Sequence, residues 1–299
     1  MKLLVCIDDT DSKTSEKGTG AIADDIRYAV RDELSAKISQ ISRHQLLIHP
    51  DVPYTSHNSS MCFEAELDDG GDYEGTFAKV IETGRRLLLS ESAPESDPGL
   101  AVADIDKIDT EAAIAYGKEC KYRLVTKQEA YDIAKEAGFY LNEFGGTGDG
   151  VIGAAAGIGL RLWGFDGTMK GRPKDLEPER AYSVKEICCS KYVDVVRSLD
   201  GTIIAEDETV ILPPKAKIAL YDGTWSIMAD EPDEDGIRHL PHREIVKQLG
   251  GDLIFKEGCA DFKLDVPEER YDDSGKGCYN CLYRRWLEKG VLCQKPEKE

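Results

Sequence analysis

The feature that most constrains this chain is its first dozen residues. Leu3, Leu4, Val5, Cys6 and Ile7 form an unbroken apolar run that ends abruptly in Asp8-Asp9-Thr10-Asp11-Ser12. A short continuous apolar run bounded by polar residues predicts a strand buried on both faces. A strand covered on both faces needs helices above and below it, so the run points to an α/β or α+β body. Further elements agree. Ile22, Ile26, Ala29, Val30 and Leu34 share one face of a helix opening near Gly20. Ala36–Ile48 is strand-rich, and Met61–Leu67 alternates as a half-buried strand with Glu64 and Glu66 outward. Tyr73, Phe77, Val80, Ile81, Gly84, Leu87 and Leu88 recur at helical spacing. Leu100–Ile105 comes next as a short strand, with helices near Thr110–Gly117, Lys127–Gly138 and Val151–Trp163.

Composition shifts after Gly164. Lys170–Pro178 is a charged, proline-containing linker, and the chain beyond it reads as short strands. Thr202–Ala205 and Thr209–Leu212 flank an acidic turn, while Lys217–Tyr221 and Thr224–Met228 flank Asp222-Gly223, a strong hairpin signal. The expected domains are therefore a body at 1–168, a small β domain at 180–257 and a cysteine-bearing tail at 258–299. No apolar run reaches the length of a membrane span, and the N-terminus lacks a signal-peptide pattern, so a soluble cytoplasmic protein is expected. Asp and Glu number 57 against 38 Lys and Arg, a net charge of −19, which opposes general electrostatic affinity for nucleic acid.

Four motifs carry candidate chemistry. Asp8, Asp9 and Asp11 place three carboxylates at a strand exit, where joint ionisation is costly without a cation. Hard oxygens at that spacing suit Mg²⁺; the plainer readings are a solvated acidic turn or a helix cap. Gly18-Thr19-Gly20 stands just before a helix whose N-terminus directs N–H groups at an anion, or it is an ordinary loop. Gly145-Gly146-Thr147-Gly148-Asp149-Gly150 permits positive φ and close approach to a ligand, though the helix after it also suits tight packing on a sheet. It is not a Walker A loop, since no Lys-Ser/Thr pair comes after the last glycine. Cys259, Cys278, Cys281 and Cys293 include a C-x2-C knuckle and suit a structural Zn²⁺, an iron–sulfur cluster, or a tail of free thiols. Cys6, Cys62 and Cys120 look like buried free thiols, and neither the vicinal Cys188-Cys189 pair nor the five histidines form a catalytic pattern.

Four blocks then occur in the order found in the archaeal tRNA-Ile 2-agmatinylcytidine synthetases, which this sequence resembles: IDDTDS with its following GTG, HPDVPYTSHNSS (49–60), SDPGLAV (96–102) and GDGVIGAAAGIG (148–159). The likeness spans roughly residues 1–165. It implies a kinase-like and a ferredoxin-like domain, followed by an OB-like domain and a zinc ribbon. It also implies ATP- and Mg²⁺-dependent phosphorylation of a tRNA cytidine, with the phosphate then displaced by agmatine. On that resemblance Asp8, Asp9 and Asp11 hold Mg²⁺ and triphosphate, with Thr10 and Ser12 in the same loop. Gly18, Thr19 and Gly20 lie beside the phosphates, and Gly148, Gly150 and Gly153 shape the nucleotide pocket. No general base stands out beyond Asp9. His49 and Tyr54 replace the family's Asn and Trp, Asp97 replaces an Asn, and Asp149 replaces an Arg. The leading expectation is thus an Mg-ATP-dependent transferase or ligase activating an acceptor for amine attack. A small-molecule acceptor at the same ATP site, or a nucleotide-sensing protein without turnover, are the alternatives. A basic stripe of Arg161, Lys170, Arg172, Lys174, Arg284 and Arg285 is what tRNA contact would require.

Overall fold

The structure is a computed structural model of the 299-residue chain. It describes residues 1–12, 15, 17–47, 49, 51–52, 58–198, 201–213, 216–240, 259–265, 280–287 and 290–293, with only the backbone for 284–287 and 290–293. The chain forms two compact units, Met1–Trp163 and Gly164–Glu299.

The first unit is a three-layer α/β/α body. Its strands are β1 (Lys2–Asp8), β2 (Lys37–Ile38), β3 (Ser42–Gln45), β4 (Ser59–Glu66), β5 (Gly99–Asp104) and β6 (Tyr140–Glu143). They run β6-β5-β1-β4-β3, with β2 also on β4, and every pairing is antiparallel. The predicted first strand is the centre of this sheet, and its period of two divides the core. Leu3, Val5 and Ile7 pack with α1 (Thr19–Leu34) and α2 (Tyr73–Glu91). Leu4 and Cys6 face the opposite layer, made of α3 (Thr110–Glu119), α4 (Lys127–Ala137) and α5 (Gly150–Trp163). A continuous apolar run is what a strand with two buried faces requires.

Three helix starts arise from local chemistry. Asp72 accepts from Gly75 N at 3.0 Å and Asp109 from Ala112 N at 3.1 Å, capping α2 and α3. Thr126 and Glu129 close a reciprocal capping box on α4. The expectation for Met61–Leu67 needs correction. The strand is buried on both faces, with Cys62 fully buried opposite Phe63, because α5 covers the side that was expected to face water. That approach depends on Gly157, where a Cβ would overlap Cys6 Sγ.

In the second unit, β7 (Thr168–Met169), β8 (Ala181–Ser183), α6 (Val184–Cys188), β9 (Val195–Ser198), β10 (Thr209–Ile211), β11 (Ala219–Tyr221), β12 (Thr224–Ala229) and β13 (Ile237–His239) surround a core of Val196, Val210, Leu220, Trp225 and Ile227. The β11–β12 hairpin turns on Asp222 (φ 50) and Gly223 (φ 70), as its sequence predicts. Thr202–Ala205 is not a strand; Ile203 makes one isolated bridge to Arg197. Lys170–Pro178 lies within this unit, with Leu176 against its core. Residues 241–257 of the expected β domain lie outside the described residues. A final hairpin pairs β14 (Arg284–Leu287) with β15 (Gly290–Cys293). Among the described residues no helix is long and apolar enough to cross a membrane.

Candidate functional site

The acidic cluster stands where β1 leaves the sheet. In the strand's alternation Asp8 follows Leu4 and Cys6 toward α5. It is 9% exposed, its Oδ1 accepts from Asp9 N at 2.9 Å, and its other oxygen lies against Gly153, where a Cβ would overlap it. Gly150 is equally constrained: a Cβ there would overlap the Asp97 carbonyl and stand 3.0 Å from the Asp8 carbonyl. Gly99, across β5 from Asp8, lies directly against the Gly150 backbone. These glycines bring the start of α5 down onto the sheet end and bury the carboxylate.

Burial, then Asp9, then Asp11 push the Asp8 carboxyl up to about 8. Asp9 occupies the left-handed region at φ 51, and burial followed by Asp97, Asp11 and Asp149 raises it to about 6. Five carboxylates from three loops therefore act on one another here. From the sequence, Asp97 and Asp149 had no assigned part in this group. Their signal was that each departs from a family block, next to a proline or glycine turn, in loops that the sheet order brings beside β1.

Opposite them is the start of α1. Gly18 caps it without a side-chain hydrogen bond, and Thr19 N donates to Asp11 Oδ2 at 3.4 Å. A Cβ on Gly18 would stand 3.1 Å from the same oxygen. Thr10 is fully buried and its backbone carbonyl accepts from Ala93 N at 3.0 Å, while its Oγ1 has no hydrogen-bond partner among the described residues. Ser12 is half-buried, and its N–H and C=O both engage Ser15 Oγ.

The glycine-rich loop is stitched in place rather than open. Thr147 N donates to Asp97 Oδ1, Gly148 N to Gly145 O at 3.1 Å, and Gly150 N to Asp97 O at 3.0 Å. Gly146 (φ 54) and Gly148 (φ 77) take the conformations that glycine permits. The structure thus brings together Asp8, Asp9, Asp11, Thr19, Gly150 and Gly153. Among the described residues no three carboxylate, thiol or imidazole groups are already gathered as a metal cage.

The tail cysteines are only partly described. Leu264 bridges Cys281, and Asp265 N donates to Asn280 O at 2.8 Å, so the start of the tail pairs with the Cys281 segment. Cys281 is buried and Cys259 half-buried. Cys278 lies outside the described residues, and the described backbone of Cys293 stands opposite Arg284. Of the expected basic stripe, Arg161 donates to Ser39 Oγ at 3.3 Å, and the side chains of Arg284 and Arg285 are outside the description. Residues 53–57 of the proline block, Tyr54 included, also lie outside it.

No protein-family model matches the chain, and no curated protein matches it. Among solved structures, a tRNA fluorescent labelling enzyme is similar at 21% identity and TM-score 0.45. A complex of TiaS, a tRNA agmatidine synthetase, with its isoleucine tRNA and ATP is similar at 22% identity and TM-score 0.45. A second TiaS complex, with the same tRNA, AMPCPP and agmatine, is similar at 21% identity and TM-score 0.44. Each match covers 53% of this chain and 36% of the other.

Proposed function

We propose that the chain is an enzyme that uses Mg-ATP to activate an acceptor by phosphoryl transfer, preparing it for attack by an amine. The observation that supports this reading best is the meeting of five mutually repelling carboxylates with the glycine-capped start of α1, whose Thr19 N–H reaches Asp11, at one sheet end. The donor set fits Mg²⁺. Its oxygens are hard, and the cost of ionising Asp8 and Asp9 that burial and repulsion impose is what a divalent cation relieves. Mg²⁺ completes its shell with water and phosphate oxygens, so the loop need supply only part of the coordination.

In this reading Asp8, Asp9 and Asp11 hold the cation, and Asp9 is the general-base candidate. A cation held by these residues would supply charge neutralisation for the transferring phosphoryl oxygens. The positive end of the α1 dipole, at Gly18, Thr19 and Gly20, would favour the phosphates, with the Thr19 N–H passing from Asp11 to a phosphate oxygen. Thr10 and Ser12 belong to the same loop, and the buried Thr10 hydroxyl is an additional oxygen donor. Gly148, Gly150 and Gly153 set the depth of the pocket by letting α5 approach β1.

The acceptor is tRNA on the sequence resemblance. A small cationic metabolite is the second reading, favoured by the acids at 97 and 149 and by the net charge of −19. Cys259, Cys278, Cys281 and Cys293 are proposed to bind a structural Zn²⁺ in either case. The test is incubation with Mg²⁺ and labelled ATP, with tRNA plus agmatine, with small amines, or with neither, followed by identification of the nucleotide product. AMP or ADP formation that requires tRNA supports the first acceptor, and turnover indifferent to tRNA supports the second. Saturable ATP binding without turnover under any acceptor identifies a nucleotide sensor. Asp9→Asn that leaves Mg-ATP binding unchanged refutes the acidic loop as the metal site.

A further inference from the structure

The glycine-rich loop has a second anchor outside the acidic cluster. Thr147 stands between Gly146 and Gly148, so the peptides on either side of it rotate with little steric restraint. Both polar groups of its backbone are nonetheless held by side chains from other elements. The N–H donates to Asp97, and the carbonyl accepts from Lys127 Nζ at 2.6 Å. Lys127 is the first residue of α4, immediately after the N-cap of the Thr126–Glu129 capping box, and Arg123 pairs with Glu129 at 2.8 Å. The ammonium is therefore delivered from a fixed helix start.

The same ammonium reaches Glu143 Oε2 at 2.8 Å, and a Cβ on Gly148 would overlap that carboxylate. Glu143, Gly99 and Asp8 are register partners on three adjacent strands. Two strand spacings separate Glu143 from Asp8, about 10 Å, so Lys127 works from the rim of the cluster and not within it. Asp97 meanwhile both holds the Thr147 N–H and raises Asp9. Loop geometry and the placement of the acids at 97 and 149 are thus joined through one residue.

We propose that Lys127 is a positioning residue of the nucleotide site: by holding the Thr147 carbonyl and Glu143 it keeps the Gly145–Gly150 loop in the conformation that sets Asp97 and Asp149 beside Asp9. This inference rests on the Mg-ATP reading of the site. Without the ammonium, the Thr147 carbonyl loses its side-chain anchor, and the peptides flanked by glycines are held by Asp97 and by the Gly148 N–Gly145 O bond at 3.1 Å within the loop.

The experiment measures Mg-ATP affinity by calorimetry and amide exchange across residues 145–150 for the full chain and for Lys127→Met and Lys127→Arg. Exchange of the Leu3–Ile7 amides serves as the check on folding. Lys127→Met is expected to weaken Mg-ATP binding about tenfold, the equivalent of one net hydrogen bond. Exchange in the loop should rise similarly, the Leu3–Ile7 amides should not change, and Lys127→Arg should recover most of both effects. Unchanged affinity and loop exchange in Lys127→Met would overturn the clamp and leave the nucleotide reading standing. A wild-type chain that binds no Mg-ATP would overturn the nucleotide reading and this inference together.

Discussion

Asp8→Asn is expected to make the protein more stable near neutral pH when divalent cations are chelated, and the gain should vanish in acid. The Asp8 carboxyl has a folded-state pKa of about 8 against 3.8 for the free group, with burial as the main cause. An acid whose pKa is raised on folding favours the folded state fully below pH 3.8, where both states are protonated. That contribution is lost as pH rises toward 8, because the unfolded chain releases a proton that the native state keeps. The loss reaches about 4 kcal/mol at pH 7, at 1.36 kcal/mol per pH unit, and about 1 kcal/mol at pH 4.5. Asparagine retains the acceptor for Asp9 N and has nothing to titrate. In EDTA the variant should therefore gain up to about 3 kcal/mol over wild type between pH 4.5 and pH 7. Exchange of the central β1 amides reads the opening free energy of this unit. Saturating Mg²⁺ should close most of that gap at pH 7, since a ligand present at about 100 times its Kd stabilises wild type by about 2.7 kcal/mol and the variant has lost one ligating oxygen. A stability difference that is flat with pH would refute the burial argument, and a Mg²⁺ effect equal in both proteins would remove Asp8 from the cation site.

Other perturbations probe the surrounding framework. Gly153→Ala should cost about 1–3 kcal/mol, because its Cβ would meet the Asp8 carboxylate and Leu46, and it should also blunt stabilisation by Mg²⁺ in a thermal melt. Gly99→Ala should be worse, above about 3 kcal/mol, since its Cβ would meet the backbone of α5 and not a side chain that can move. Thr126→Ala should cost about 1 kcal/mol through the α4 capping box and raise exchange in the first turn of that helix. Elemental analysis of the purified chain should find one zinc per molecule, lost in Cys281→Ser; a wild-type chain without metal would refute the tail site.

What the sequence made legible was whatever depends on neighbours along the chain. The apolar run of β1, the helical faces of α1 and α2, the small-residue helix α5 and the Asp222-Gly223 hairpin all arise from local periodicity or turn chemistry, and each stands where expected. Thr202–Ala205 failed for the complementary reason. Its composition suits a strand, but a strand exists only where a partner presents a matching edge, and only Ile203 finds one. The outer face of β4 was misjudged because glutamates at 64 and 66 suggest water along the whole strand. At Cys62, however, the Gly157 approach of α5 displaces solvent. The candidate site divides in the same way. Asp8, Asp9 and Asp11 are close in sequence and were visible as a group. Asp97 and Asp149 join them only because β5 lies beside β1 and because, at Gly99, Gly150 and Gly153, the start of α5 and the sheet end come too close for a Cβ. A glycine in a sequence announces freedom at one position. Here three of them, drawn from two distant segments of the chain, act as one contact surface, and that surface turns an exposed-looking aspartate into a buried acid held well above its ordinary pKa.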